Sequence, residues 1–70
     1  MIEVFKTNVE DPLLAKHIAT QITKKIPHSR VSFDLEDCDK ILRIECSHQF
    51  SAEEIVELLH RNNINAEILL

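Results

Sequence analysis

Val31-Ser32-Phe33-Asp34-Leu35-Glu36-Asp37-Cys38-Asp39-Lys40-Ile41-Leu42-Arg43-Ile44-Glu45-Cys46 is the stretch that decides the fold. In residues 31–36 the side chains alternate. Val31, Phe33 and Leu35 go one way and Ser32, Asp34 and Glu36 the other, the period-two pattern of a half-buried strand. Residues 40–46 alternate again, with Leu42, Ile44 and Cys46 on one face and Ile41, Arg43 and Glu45 on the other. Between them Glu36-Asp37-Cys38-Asp39 predicts a turn, in which an Asp takes the left-handed conformation in place of glycine. Two alternating runs joined by a polar turn predict an antiparallel hairpin.

Upstream, residues 2–7 predict a first strand. Asp11-Pro12 then supplies a helix N-cap followed by a proline suited to the first helical position. Leu14, Ile18, Ile22 and Ile26 recur every four residues beside Ala15 and Ala19, which predicts one apolar stripe on a helix ended by Pro27. Downstream, Ser51-Ala52-Glu53-Glu54 predicts a capping box, with Ala52, Ile55, Val56 and Leu59 as the core stripe and Asn62-Asn63 as the stop. Residues 65–70 predict a last short strand. The order is βαββαβ, the split βαβ plan. Right-handed crossovers then predict an α+β, ferredoxin-like sandwich: a four-stranded antiparallel sheet, order 4-1-3-2, with both helices on one face. Residues 1–70 read as one domain, with no linker, repeat or low-complexity segment.

Composition narrows the function. The chain has no glycine, which excludes the dinucleotide fingerprint, the P-loop and the nucleophile elbow, each of which needs glycine for close backbone approach. The acidic run Asp34–Asp39 is not an EF-hand loop for the same reason. Net charge is −4, and Lys24, Lys25 and Arg30 lie at or just past a predicted helix C-terminus, where they suit the dipole. Nucleic acid is therefore not the expected partner. Charged residues make up 29% of the chain and no apolar run approaches the length of a bilayer span. Without a recognisable signal peptide, the expected location is cytoplasmic. Cys38 and Cys46 form neither a CxxC pair nor a disulfide framework. No nucleophile–base–orienter set is visible, so the expectation is no enzyme and no cofactor.

The predicted topology gathers residues at the two ends of the sheet. One end collects Glu10, Asp11, Glu36, Asp37, Cys38 and Asp39, of which Asp11, Asp37 and Asp39 are candidate oxygen ligands for a divalent cation. The structural alternative is a capped helix and a solvated turn. The other end brings His28 towards His48 and Cys46, donor types that suit zinc or copper. The alternative there is two polar loops and a cysteine in the core. Strand 1 is apolar on both faces, with Ile2 and Val4 on one and Phe5 on the other. Whichever set turns outward joins Ile41 and Leu69 on the open sheet face, and Phe5, Ile41 and Leu69 are the candidate interaction surface.

With these elements in place, the chain resembles the heavy-metal-associated domain family of small metallochaperones and copper-ATPase modules. The resemblance is carried by Phe5-Lys6-Thr7-Asn8-Val9, by Val31-Ser32-Phe33-Asp34 and Lys40-Ile41-Leu42-Arg43-Ile44, by Ser51-Ala52-Glu53-Glu54-Ile55 and by Ile64-Asn65-Ala66-Glu67. It covers nearly the whole chain. The family holds soft metals with a CxxC pair in the loop opening its first helix. With Val9 at the family's methionine position, Asp11 and Leu14 stand where the cysteines would be, so the metal motif is absent. The resemblance therefore implies a motif-less member. The expected function is a small non-enzymatic binding module that contacts a protein partner, or itself as a homodimer, through the open sheet face or an edge strand. The alternatives are a metal carrier using ligands other than CxxC and a small-molecule regulatory domain, the latter by fold analogy.

Overall fold

The computed structural model describes residues 1–69. The elements are β1 (Ile2–Thr7), α1 (Pro12–Lys25), β2 (Arg30–Asp34), β3 (Ile41–Glu45), α2 (Ala52–Arg61) and β4 (Ala66–Leu69). They form one four-stranded sheet in the order β2-β3-β1-β4, with every neighbouring pair antiparallel. This is the ferredoxin-like βαββαβ topology. No described helix is long and apolar enough to cross a membrane.

Each helix starts where a side chain satisfies its free N–H groups. Asp11 Oδ1 accepts from Leu13 N–H at 2.9 Å, and Pro12 occupies the first turn, where a missing N–H costs nothing. Ser51 Oγ accepts from Glu54 N–H at 3.3 Å, and the same hydroxyl donates to Glu53. Glu54, the predicted return arm of the capping box, instead reaches Lys25 at 3.8 Å. The end of α2 is a complete Schellman motif. Asn63 N–H donates to the His60 carbonyl and Ile64 N–H to the Leu59 carbonyl, with Asn63 left-handed at φ 60°. Leu59 and Ile64 are both buried and close the apolar contact that accompanies the motif.

The core lies between the helices and one face of the sheet. Phe5, Ile18, Ile22, Leu42, Ile44, Ile55 and Leu59 have no exposed surface, and Val9, Ile26, Cys46 and Ile64 seal the margins. Register explains the choice. Phe5 pairs with Leu42 and Leu42 with Phe33, so these three share the inner face. Phe5 is therefore not part of the open face, a correction to the candidate surface. Strand 1 could turn either set inward, and the larger ring fills the gap beneath both helices; burying it is worth about 1.5–3 kcal/mol. Thr7 follows it inward, 7% exposed.

Three local expectations shift. The strand predicted over 31–36 is Arg30–Asp34, and Leu35 leaves the ladder to lean on the core. The left-handed residue of the hairpin is Lys40, φ 45°, and not an Asp. Lys40 N–H closes a turn on the Asp37 carbonyl, while its Nζ donates to the Leu35 carbonyl at 2.9 Å. The last strand is Ala66–Leu69, and the predicted extension to residue 70 lies outside the described residues.

Candidate functional site

The open sheet face is read directly from the register. Rows of paired residues set Arg30, Glu45 and Ile2 side by side, then Ser32, Arg43, Val4 and Leu69, then Asp34, Ile41, Lys6 and Glu67. The apolar members are Ile2, 51% exposed, Leu69, 38% exposed, and the half-buried Val4 and Ile41. Val4 sits between them, beside Leu69, two residues from Ile2 and diagonal to Ile41, within reach for cross-strand contact. Strand 1 thus contributes Ile2 and Val4 to this face in place of Phe5, a choice that alternation within residues 2–7 leaves open. Side-chain volume was the available signal, since the bulkier Phe5 claims the interior.

The polar residues of the face balance. Arg30, Lys6 and Arg43 oppose Asp34, Glu45 and Glu67, so the chain's net charge of −4 is carried elsewhere. Arg43 reaches Glu45 at 3.3 Å and Lys6 reaches Asp39 at 3.5 Å. These pairs are exposed and contribute little to stability, but they keep long side chains laid along the apolar band.

The acidic end is a knot of local structure. Asp37, Cys38 and Asp39 offer ligand atoms within 4.8 Å of one another, the one such trio among the described residues. Asp37 Oδ1 already accepts from Asp39 N–H at 2.8 Å, and Asp39 pairs with Lys6. Asp11 is not brought into this group and is occupied as a helix cap. Thr7 ties the same end together. Its N–H donates to the Asp39 carbonyl at 3.1 Å, its Oγ1 donates to the Lys40 carbonyl at 2.6 Å, and the same oxygen accepts from Val9 N–H at 3.3 Å.

The loop in which the resembled family holds metal does not fit that role here. Val9 is 1% exposed, Asp11 caps α1 and Leu14 packs against the core, so none of these three positions offers a soft donor.

At the opposite end, Cys46 is 4% exposed and its Sγ lies 3.3 Å from Nδ1 and 3.5 Å from Nε2 of His48. Cys46 is paired with Met1, exchanging both backbone hydrogen bonds at 2.6 and 2.9 Å, which extends the β1–β3 ladder by one step. His28 and Cys46 line a common surface cavity of about 390 Å³ with Met1, Arg30 and Glu45. The structure therefore brings Cys46 to His48 but does not bring the three candidates together: His28 shares a cavity with Cys46, while His48 lines a separate one with Lys25, Phe50 and Glu54. Ser29 also lies at this end, its hydroxyl buried and without a hydrogen-bond partner, a feature no sequence pattern marks.

No protein-family model and no curated protein matches the chain.

Proposed function

We propose that the chain is a non-enzymatic binding module, a heavy-metal-associated-like domain that has lost the family's metal loop and contacts a protein through its open sheet face. The observation that carries this reading is the band formed by Ile2, Val4, Ile41 and Leu69 on the face opposite the helices. Contiguous exposed apolar area of this kind marks contact surfaces. The charge-balanced flanks suit a partner of mixed charge, a protein or a second copy of the chain, and offer no positive field for nucleic acid.

Size sets the strength. Four strands about 4.8 Å apart and five residues rising about 3.3 Å each span a face of roughly 300 Å². A stable interface covers about 800 Å² on each partner. Contact through this face alone is therefore weak and reversible unless the partner also engages an edge strand, β2 or β4.

The test compares the wild-type chain with Ile41→Asp and Val4→Asp. Sedimentation equilibrium at high concentration reads self-association, and affinity capture against host extract reads a partner. Both substitutions are expected to abolish whichever association the wild type shows while the fold, followed by circular dichroism, is retained. Identical assembly and capture by wild type and variants would refute the open-face reading.

A further inference from the structure

We propose that β2 is a self-complementary edge, and that a second copy of the chain pairs with it antiparallel about a twofold axis at Ser32, joining two four-stranded sheets into one of eight strands.

The backbone sets which groups are free. Met1 and Cys46 exchange both backbone hydrogen bonds, and bonded and non-bonded pairs alternate along an antiparallel ladder. Glu3–Ile44 and Phe5–Leu42 are therefore bonded pairs, and the other residues of β3 turn their backbone groups towards β2. Those residues meet Arg30, Ser32 and Asp34. The N–H and C=O groups of Val31 and Phe33 are left on the free edge, and no turn or loop bond among the described residues takes them up. An edge of this kind is a template for another strand.

Side chains then choose the strand. Around a twofold axis outward groups must face outward groups, so the axis passes through a residue and never between two. Placed at Ser32, it pairs all five residues of β2. Val31 bonds with the partner's Phe33, and Phe33 with the partner's Val31. This sets an aromatic against a β-branched side chain on the inner face, where both are only partly buried in the single chain. On the open face Arg30 stands opposite the partner's Asp34, and Asp34 opposite the partner's Arg30. Both charges are exposed, and neither is in an ion pair among the described residues, unlike Lys6, Arg43 and Glu45 of the same face. Moving the axis by one residue shortens the pairing and leaves charges unmatched. Moving it by two sets Arg30 against Arg30 or Asp34 against Asp34.

The other edge lacks this property. Val4 and Lys6 turn towards β4 and engage Leu69 and Glu67, which leaves Ala66 and Ile68 outward. The twofold that pairs those two sets Glu67 against Glu67, a like-charge contact. Association through β2 uses the same edge on both copies and closes as an isologous dimer. Two open faces of roughly 300 Å² then lie side by side, so a protein partner meets about 600 Å². That gain rests on the open-face reading; the seam itself does not.

Sedimentation equilibrium of the full chain reads the dimer at rising concentration. Arg30→Asp and Asp34→Arg each replace two opposite-charge pairs by like-charge pairs. Each is expected to raise the dimer dissociation constant by about tenfold or more. Asp34→Arg does so although it removes two of the four net negative charges, where general repulsion predicts the reverse. An equimolar mixture of the two variants is expected to recover the dimer, because each then meets the opposite charge. In a Cys38→Ser background, Ser32→Cys is expected to form an intermolecular disulfide with oxidised glutathione, since the Cα atoms of a non-bonded pair stand about 4.5 Å apart. Ile41 lies off the seam, and Ile41→Asp separates this assignment from self-association through the open face. A dimer lost in Arg30→Asp and kept in Ile41→Asp is the seam. One lost in Ile41→Asp and kept in Arg30→Asp belongs to the open face and overturns the seam. A chain that stays monomeric at millimolar concentration overturns it too, as does a mixture of variants that associates no more tightly than either alone.

Discussion

Replacing Thr7 by valine removes one oxygen and almost no volume, and it strikes the point where three segments meet. The Thr7 hydroxyl donates to the Lys40 carbonyl at 2.6 Å across the hairpin turn and accepts from the Val9 N–H at 3.3 Å on the way into α1. Valine leaves both backbone groups without that partner. Val9 is 1% exposed, so its N–H has no route to water, whereas the Lys40 carbonyl is only partly buried and can be rehydrated. An unsatisfied buried group costs about 1–3 kcal/mol. The long Val9 contact belongs at the low end and the rehydrated carbonyl adds a fraction more, so Thr7→Val is expected to cost about 2 kcal/mol. A chain of 70 residues unfolds with an entropy near 0.15 kcal/mol/K, so the melting temperature is expected to fall by about 13 °C. Total stability for this length is only about 4–10 kcal/mol, which makes the loss easy to measure. Urea unfolding reads the free energy and should show an unchanged m-value, while amide exchange should show Val9 opening faster. Thr7→Ser keeps the hydroxyl and should recover most of the loss. A cost for Thr7→Val below about 0.5 kcal/mol, or equal losses in both variants, would refute the idea that the hydroxyl couples the turn to the helix.

Two further outcomes follow from the same packing. Phe5→Ala is expected to lose about 3–5 kcal/mol in urea unfolding, enough to leave the domain barely folded, because the ring lies fully inside the core; a loss below about 1 kcal/mol would mean that β1 presents its other face. Asn63→Gly is expected to be neutral or stabilising by up to about 1 kcal/mol, because the position needs a positive φ, whereas Asn63→Val should destabilise; thermal melts of the two variants read the difference.

The hairpin, both helix starts and the βαββαβ order were legible because their signals act over a few residues. Alternation in 31–36 and 40–46, the four-residue spacing of Ile18, Ile22 and Ile26, and the caps Asp11 and Ser51 each describe a chain segment's relation to its near neighbours. The open face was half legible. Ile41 and Leu69 were named, but Phe5 was grouped with them, since strand 1 is apolar on both sides and alternation alone has no preference between them.

By itself, then, the sequence determined the elements, their order and the absence of a thiolate pair where α1 begins. Only the tertiary structure decided which side of β1 is inside, which hairpin residue turns left-handed, and which polar groups meet at the two ends of the sheet. Those choices depend on partners far away along the chain. Thr7 meets Lys40 across 33 positions and Met1 meets Cys46 across 45. No pattern within a few residues of Thr7 or Met1 marks such partners, and the volume beneath the helices is what selects Phe5 over Val4.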